Sequence, residues 1–209
     1  RRAVADFDFT AYVRALKEFM AEDLSAFFFD IRKDCLYCDV GPAQPLGTEK
    51  RRAYRTVLDV LFHALIRYAA PVLVFTAEEV WTTRCPDAGT VHLLEWPVVD
   101  AGASDAALLE KWDALRAARA SVTEAIEPLR REKTVRSSLE AIVTMPAVAG
   151  VDAADMAEIA IVAAVSYADG PIGVVPTADH KCGRCWRHMP EVAADGDVCG
   201  RCADVLGEG

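Results

Sequence analysis

Apolar side chains recur every three or four residues over long parts of this chain, which is the spacing of a helix with one buried face. The pattern predicts helices over 6–38, over 48–70, from Pro71 onward and over 105–131. Glycine and proline residues separate these stretches, and a loop-rich connection is predicted over 85–104. Most of the chain is therefore predicted to be a bundle of helices.

Short polar side chains mark the predicted starts of some helices. Asp23 is predicted to cap a second helix inside the first helical stretch, which would then hold two helices or one broken helix. Thr48 precedes the next long helix, and Thr76 with Glu79 three residues later has the spacing of a capping box. Each of these side chains would accept a hydrogen bond from a backbone N–H group of the first helical turn.

The hydrophobic period changes after the last long helix. Short runs rich in β-branched residues at 139–145, 159–165 and 172–175 predict strands, and 153–158 predicts a helix between the first two. Together these runs predict a small mixed sheet with one helix. The predicted fold class is accordingly mainly α, with a helical bundle followed by a small α/β subdomain.

Composition and charge restrict the function classes. Hydrophobic residues make up 53% of the 209 residues and charged residues 26%, the balance of a folded protein. No apolar run reaches the roughly 18 residues of a membrane-spanning helix. The net charge of -9 argues against a sequence-independent nucleic-acid binder, although the seven basic residues over 110–137 permit a local basic face. Because the chain begins without Met or a signal-peptide pattern, we expect a piece of a longer protein.

Four of the seven cysteines form two pairs near the C-terminus with the spacing Cys-x2-Cys-x13-Cys-x2-Cys. Two such pairs can supply four thiolates to one zinc ion, and a segment too short for its own core needs such a link. Four thiolates leave no open coordination position, so the metal is predicted to be structural and not catalytic. The predicted ligands are Cys182, Cys185, Cys199 and Cys202.

Residues around these pairs have predicted supporting roles. Gly183 and Gly200 stand where a side chain would crowd the turn of each pair. The negative charge of four thiolates on one zinc ion would be offset by basic side chains nearby. These are Lys181, Arg184, Arg187 and Arg201. His180 and His188 flank the pairs and are predicted to lie outside the metal shell or on the surface.

Cys35 and Cys38 have the same spacing but no second pair beside them, since Cys85 is distant in sequence. Free, partly buried thiols at a helix end are the expected state. For the two terminal pairs, redox-active dithiols or plain buried cysteines are the alternative to a zinc site, but a thioredoxin-type pair sits in a βαβ unit, which the surrounding pattern does not predict. The sequence contains no phosphate-binding loop or hydrolase motif, so no catalytic residue is predicted.

Four stretches stand in an order typical of a known family. They are the sequence over 23–37, Ala-Pro-Val-Leu-Val-Phe-Thr-Ala-Glu-Glu-Val-Trp over 70–81, Ser-Ser-Leu-Glu-Ala over 137–141 and the terminal Cys-x-Arg-Cys-Trp. In combination they resemble the C-terminal region of bacterial isoleucyl-tRNA synthetases of class I. The second stretch alone is shared with the synthetases for valine and leucine. Two positions depart from the family pattern: Cys35 stands where Arg is usual, and Arg136 stands where Gly is usual.

The resemblance implies a domain plan and a function. Residues 1–134 would form a helical anticodon-binding bundle, 135–178 a small α/β subdomain and 179–209 a zinc-binding tail. The parent enzyme would join isoleucine to its tRNA with ATP, in the cytoplasm and as a monomer. Its catalytic and editing centres would lie outside this chain, which would bind the anticodon stem-loop of isoleucine tRNA.

The unstacked bases of an RNA loop are recognised by aromatic stacking and by arginine. Trp186, beside the predicted zinc site, is therefore expected either to stack on such a base or to pack the zinc-binding tail onto the bundle. Basic residues on helices and around the cysteines are expected to contact the RNA backbone. These are Lys33, Arg119, Arg130, Arg131, Lys133, Lys181, Arg184, Arg187 and Arg201.

The alternative function is a stand-alone module, built from a zinc ribbon and a helical bundle, that binds a protein and not RNA. Long amphipathic helices and an acidic total fit this function equally well. A thiol redox protein and a class I synthetase for another amino acid are less consistent with the pattern. Salt dependence separates RNA binding from protein binding, since only RNA binding releases counterions from phosphates.

Overall fold

The computed structural model describes residues 2–98 and 105–208. It is mainly helical with one small sheet, as predicted. The helices are α1 (Arg2–Ala5), α2 (Phe9–Glu18), α3 (Asp30–Cys38), α4 (Glu49–Ala69), α5 (Val74–Arg84), α6 (Ala106–Arg131), α7 (Ala153–Ala160) and α8 (Gly200–Leu206). The strands are β1 (Ala141–Met145), β2 (Ala164–Tyr167) and β3 (Gly173–Pro176). A π-helix spans Phe19–Phe29, and short 3₁₀ turns span Val91–Leu93 and Ser138–Glu140.

The described residues fall into two compact units. The first contains 2–36 and 46–98, and the second contains 37–45 and 105–208. The short stretch between α3 and α4 therefore belongs to the second unit. The end of the predicted loop-rich connection, at 99–104, lies outside the described residues.

The N-terminal helices of the first unit continue through the break predicted at Asp23. The π-helix follows α2 directly and runs on into α3, so Asp23 lies inside a helix and the predicted cap is wrong. Leu24 and Ile31 lie on either side of the junction with α3, and both are buried. Packing of such side chains outweighs the weak preference of Asp for a helix start.

The helices α4 and α5 pack around Trp81. Thr48 accepts a hydrogen bond from the N–H of Arg51 at 3.2 Å, which confirms the predicted start of α4. The indole Nε1–H of Trp81 donates to the carbonyl of Gly89 at 3.1 Å. The buried cluster around this ring consists of Ala70, Ala77, Trp81 and Val91.

The capping box predicted for Thr76 and Glu79 does not form. The helix α5 begins earlier, at Val74, and its N-cap residue Leu73 makes no side-chain hydrogen bond to the first turn. Thr76 therefore lies within the first turn, where its hydroxyl cannot act as the cap. The predicted N-cap was Thr76, whereas the observed N-cap, Leu73, lies three residues earlier.

The core of the second unit lies between α6, α7 and the sheet. The order of the strands is β2-β1-β3, with β2 parallel and β3 antiparallel to the central β1. This confirms the predicted mixed sheet with one helix. Alternate residues of β1 are buried, and they pack with side chains from both helices. The core residues with the least exposure are Leu115, Val122, Val135, Ala141, Val143, Met156 and Val162.

The strand predicted over 159–165 is wrong in its first half. The helix α7 extends to Ala160, and Ile161 then adopts a left-handed backbone with φ of 57° before β2 begins at Ala164. Ile159 and Ala160 are buried on the helix. A short apolar run of this kind fits a buried helix end as well as a strand.

None of the helices in the described ranges is both long enough and apolar enough to cross a membrane.

Candidate metal centre

The four predicted metal ligands lie together and are buried. The Sγ atoms of Cys182, Cys185, Cys199 and Cys202 all lie within 4.8 Å of one another. The Sγ atoms of Cys185 and Cys199 are 3.8 Å apart. A zinc ion about 2.3 Å from four sulfurs would place them about 3.8 Å apart at the corners of a tetrahedron. The cluster therefore has the size and the donor chemistry of a structural zinc site.

The backbone approaches itself closely at the first cysteine pair. A Cβ atom on Gly183 would lie 2.3 Å from the carbonyl oxygen of Gly196, which confirms the expectation for this glycine. The expectation for Gly200 is wrong, because nothing in the described part of the chain lies within 4 Å of a Cβ atom there. Gly200 is the first residue of α8, and its Cβ position faces open space.

Burial and backbone hydrogen bonds shift the pKa values of the thiols in opposite directions. Burial raises the pKa of Cys182, but hydrogen bonds from nearby backbone N–H groups, that of Cys185 foremost, lower the pKa to about 6. Burial raises the pKa of Cys185 and of Cys202. The cluster therefore combines one thiol that ionises readily with thiols that need a bound cation to stay ionised.

Two of the four basic side chains predicted to lie near the thiols, those of Arg184 and Arg201, contact them. The Nη1 atom of Arg184 is 3.7 Å from the Sγ of Cys202. A hydrogen bond from the side chain of Arg201 opposes the effect of burial on the pKa of Cys185. Positive charges at these positions would offset part of the negative charge of a metal held by four thiolates.

The same two arginines contact a segment that the sequence pattern did not connect with the terminal cysteine pairs. Arg184 donates hydrogen bonds to the carbonyl oxygens of Cys38 and Val40, the second at 2.6 Å. Arg201 donates to the carboxylate of Asp39 at 3.2 Å. No local signal could have identified these partners, because they lie far upstream in the sequence.

Trp186 lies on the surface beside the cluster. Its side chain is 63% exposed, and its backbone is in the left-handed region with φ of 65°. The Nζ atom of Lys181 lies 5.9 Å from the centroid of the indole ring. This exposure agrees better with a stacking platform than with a packing role, since a packed ring would be buried.

The flanking histidines contact oxygen atoms. The Nδ1 atom of His188 is 2.7 Å from the carbonyl oxygen of Asp179, and the Nδ1 atom of His180 is 3.3 Å from a carboxylate oxygen of Asp195. The same carboxylate accepts a hydrogen bond from the backbone N–H of Lys181, which lowers the pKa of Asp195. These contacts agree with the predicted place of both histidines outside the metal shell.

The other basic residues expected to contact RNA lie on helices or at helix ends, except Arg187, which lies in the irregular stretch after the first cysteine pair. Lys33, in the first unit, pairs with Asp30 at 2.7 Å. Arg130 pairs with Glu127 at 3.2 Å near the end of α6. Exposed ion pairs of this kind contribute little to stability and can exchange partners. Arg131 and Lys133 are exposed, and Arg119 and Arg187 are half-buried.

A basic cavity in the first unit was not expected from the sequence. Its volume is about 680 Å³, and Arg52, Arg55 and Arg84 contribute to its walls. Arg84 pairs with Asp59 at 2.6 Å, and its guanidinium carbon lies 4.5 Å from the centroid of the Phe62 ring. The basic residues at the start of α4 were the available signal.

Cys35, Cys38 and Cys85 form no disulfide in the described part of the chain, and Cys35 and Cys38 are more deeply buried than expected. Cys35 is 3% exposed and Cys38 is 8% exposed, whereas Cys85 is half-buried. The thiol of Cys35 donates to the carbonyl of Arg32 at 3.2 Å within its own helix. Cys38 packs beside the metal-ligand cysteines and Val192 in one buried cluster.

Comparison with known proteins confirms the resemblance. A family model for the anticodon-binding domain of tRNA ligase matches residues 1–145. A second model, for a zinc finger found in FPG and IleRS, matches residues 179–205. The two matches follow one another in the expected order.

Curated relatives include isoleucine–tRNA ligases from several bacteria. The ligase of Zymomonas mobilis is 59% identical, with 99% of this chain and 23% of the relative covered. The ligase of Gluconobacter oxydans is 41% identical, with 98% of this chain and 22% of the relative covered. The ligase of Mesorhizobium japonicum is 40% identical, with 100% of this chain and 23% of the relative covered. The chain thus spans less than a quarter of the length of these relatives. Since the first family match extends over more than half of the residues, the chain belongs to the family of anticodon-binding domains of tRNA ligases.

Proposed function

We propose that this chain is the part of an isoleucine–tRNA ligase that binds the anticodon stem-loop of isoleucine tRNA. The observation that carries the proposal is the succession of an anticodon-binding match over 1–145 and a zinc-finger match over 179–205. Relatives whose names give isoleucine as the amino acid support the choice of tRNA. The parent enzyme would join isoleucine to this tRNA with ATP in the cytoplasm, as a monomer. Its catalytic and editing centres would lie in the rest of the longer protein.

Three parts of the chain would share this task. Residues 1–134 would bind the anticodon stem-loop as a helical bundle, 135–178 would form a small α/β subdomain, and 179–209 would form the zinc-binding tail. The sheet and α7 lie within the second range, and the cysteine cluster lies within the third.

Zinc held by Cys182, Cys185, Cys199 and Cys202 would act as a structural centre for the tail. The burial of all four cysteines supports this role, because a metal with a complete and buried shell has no place for a substrate. The residues around it would present Trp186 to solvent in a fixed orientation. The left-handed backbone of Trp186 is the kind of conformation that only a well-determined turn maintains.

Trp186 would stack on an unpaired base of the anticodon loop. Its exposed ring supports this role, as does the ammonium group of Lys181 beside it, which would meet a neighbouring phosphate. Of the four basic residues near the cysteines, Lys181 is the best placed for such a contact. Arg184 and Arg201 already donate hydrogen bonds to carbonyl and carboxylate groups within the protein.

Binding of a fluorescent anticodon stem-loop of isoleucine tRNA to the zinc-loaded full chain tests this proposal. We expect the Trp186→Ala variant to bind about 5- to 150-fold more weakly, since stacking on an aromatic side chain contributes about 1–3 kcal/mol per base. The Trp186→Phe variant retains a stacking surface and should recover most of the affinity. The melting temperature of both variants should stay near that of the parent chain, because the ring is exposed. Equal affinity of the Ala variant and the parent chain would refute the stacking role.

Protein binding is a second candidate function that two observations favour. The net charge is -9, and Phe75 and Leu93 expose 89% and 85% of their apolar side chains. The same titration, repeated between 50 and 200 mM salt, distinguishes the two functions. A steep loss of RNA affinity with rising salt supports tRNA binding, whereas absent or salt-independent RNA association favours a protein partner.

A further inference from the structure

The segment 37–45 packs against the cysteine cluster although it lies far away in the sequence. Cys38 precedes its contact Arg184 by 146 residues. The segment starts with the last turn of α3 and continues as a loop toward α4. It contains the buried residues Cys38 and Asp39 and therefore contributes to the interior of the second unit.

Arg184 satisfies carbonyl groups at the end of α3. The final carbonyl groups of a helix have no partner within the helix, and they lie at the negative end of its dipole. Arg184 donates one guanidinium N–H to the carbonyl of Cys38, the last residue of α3, and another to the carbonyl of Val40 at 2.6 Å. A forked, charged donor is well suited to two such acceptors at once.

Arg201 provides the second contact, through a buried carboxylate. Asp39 is only 6% exposed, and Arg201 donates to it at 3.2 Å. A buried carboxylate is costly unless a positive charge or several donors compensate for its lost hydration. The ion pair therefore links the position of Asp39 to the turn that carries Arg201.

The two arginines occupy equivalent positions. Both pairs read Cys-Gly-Arg-Cys, so Arg184 lies between the two cysteines of the first pair and Arg201 between those of the second. A metal ion that joins all four thiols would orient both guanidinium groups together. Without an ion, short segments of this kind have too little core to hold their turns.

Backbone contacts continue this interface along α8. The N–H of Ala43 donates to the carbonyl of Val205 at 3.1 Å, and a Cβ atom on Gly41 would lie 2.5 Å from the same oxygen. Gly41 and Gln44 exchange backbone hydrogen bonds at 3.0 and 3.3 Å. α8 has seven residues and includes Cys202. A helix this short is unstable alone, so it too depends on the cluster.

We propose that the segment 37–45 is ordered only when the cysteine cluster holds its metal, and that Arg184 and Arg201 are the positioning residues that make this segment depend on the metal. The cluster thus stabilises more than the C-terminal tail in which it lies. It also fixes the end of α3 and the loop that follows, although Cys38 at the end of α3 lies 146 residues before Arg184.

Amide hydrogen exchange of the full chain tests this proposal. The reporter groups are the backbone N–H groups of Gly41, Ala43 and Gln44, and the reference is the N–H of Ala163, which donates to Ala141 in the small sheet. In the zinc-loaded chain the reporters should be protected. Removal of zinc with a chelator should accelerate their exchange about tenfold or more and leave Ala163 unchanged.

The decisive variant is Arg184→Ala with zinc bound, and Arg187→Ala is its matched control. Arg187 is the basic residue just beyond the same cysteine pair, and its side chain is not among the contacts of 37–45 described above. We expect the Arg184 variant to keep one zinc ion per chain by native mass spectrometry and to lose protection at the reporters about tenfold. The control should behave like the parent chain.

Three results would overturn the proposal. The first is unchanged exchange at Ala43 in the Arg184→Ala variant or after chelation. The second is loss of zinc from that variant at neutral pH, because Arg184 would then affect 37–45 only by retaining the metal and not through its own contacts with this segment. Faster exchange at Ala163 would show that the Arg184→Ala variant or the zinc-free chain unfolds as a whole. In that case the zinc-loaded Arg184→Lys variant provides the test. Lysine keeps the positive charge but lacks the guanidinium group that donates to two carbonyl groups at once, so exchange at the reporters should rise about threefold. No rise in exchange is the third result that would overturn the proposal.

Discussion

The two glycines of the cysteine pairs have the same sequence neighbours and opposite structural surroundings. Each stands between a cysteine and an arginine, yet only Gly183 lies against another part of the backbone. The substitutions Gly183→Ala and Gly200→Ala therefore form a matched pair. Each adds one methyl group to the same motif, and the structure predicts different results for them.

The magnitude for Gly183→Ala follows from the distances. The new Cβ would lie 2.3 Å from the carbonyl oxygen of Gly196, whereas real Cβ atoms essentially never approach closer than 3.0 Å. The two backbone segments would have to separate by about 1 Å. That shift would disrupt the hydrogen bonds from Gly183 to Asp197 at 2.9 Å and from Gly196 to Lys181 at 3.1 Å. At about 1 kcal/mol per bond with added strain, we expect a loss of about 2–4 kcal/mol.

The result for Gly200→Ala should be neutral or favourable. Gly200 begins α8 and has open space around its Cβ position. Alanine is up to about 1 kcal/mol more favourable than glycine inside a helix, and the gain is smaller in the first turn. We therefore expect zinc affinity to stay the same or to increase by less than about fivefold.

Competition for zinc with a chromophoric chelator measures the effect of both variants in the full chain. Because folding of the cysteine turns is coupled to metal binding, a loss of about 2 kcal/mol should weaken zinc affinity about 30-fold in Gly183→Ala. Thermal melting of the zinc-loaded variants provides an independent readout. Equal zinc affinities for the two variants would contradict the reasoning, since their local sequences are alike and only their tertiary surroundings differ.

Two further predictions concern the buried sheet of the second unit and a hydrogen-bonded carboxylate of the first unit. In the sheet, Val143→Ala should lower the free energy of unfolding by about 2 kcal/mol in a urea titration, because Val143 is fully buried at the centre of β1. Val175→Ala on β3, where the side chain is 56% exposed, should cost less than about 0.5 kcal/mol, and similar losses for both would contradict the assigned core. In the first unit, Glu78→Gln should cost about 1–2 kcal/mol in thermal melting, because Glu78 accepts hydrogen bonds from the hydroxyl of Thr90 at 2.8 Å and from the N–H of Val91 at 3.0 Å. A melting temperature unchanged within error would show that these bonds do not stabilise the unit.

The correct sequence predictions rest on signals that are local. Thr48 begins α4 because its hydroxyl reaches a backbone N–H three residues later, a contact within the span of one helical turn. The grouping of the terminal cysteines could be predicted because metal coordination constrains their spacing within each pair. In both cases the relevant partners lie close enough in sequence for the pattern to be visible.

The wrong predictions arose where packing outweighed a local preference. Asp23 has the chemistry of a cap, but it lies within a continuous helical path next to the buried Leu24. Ile159 and Ala160 have the composition of a strand, but they form the buried end of α7. Local preferences amount to a fraction of a kcal/mol per residue, whereas burial of an apolar side chain contributes several times more.

The sequence by itself determined the helical character of the chain, the small mixed sheet and the grouping of the four terminal cysteines, because each of these leaves a period or a spacing in the sequence. Only the tertiary structure decided which glycine is crowded, that Trp186 faces solvent, and that Arg184 reaches the end of α3. The contacts of Arg184 join residues more than a hundred positions apart. Nothing in the neighbouring residues of either partner encodes such a contact, because it forms only when the folded backbone brings the two segments together.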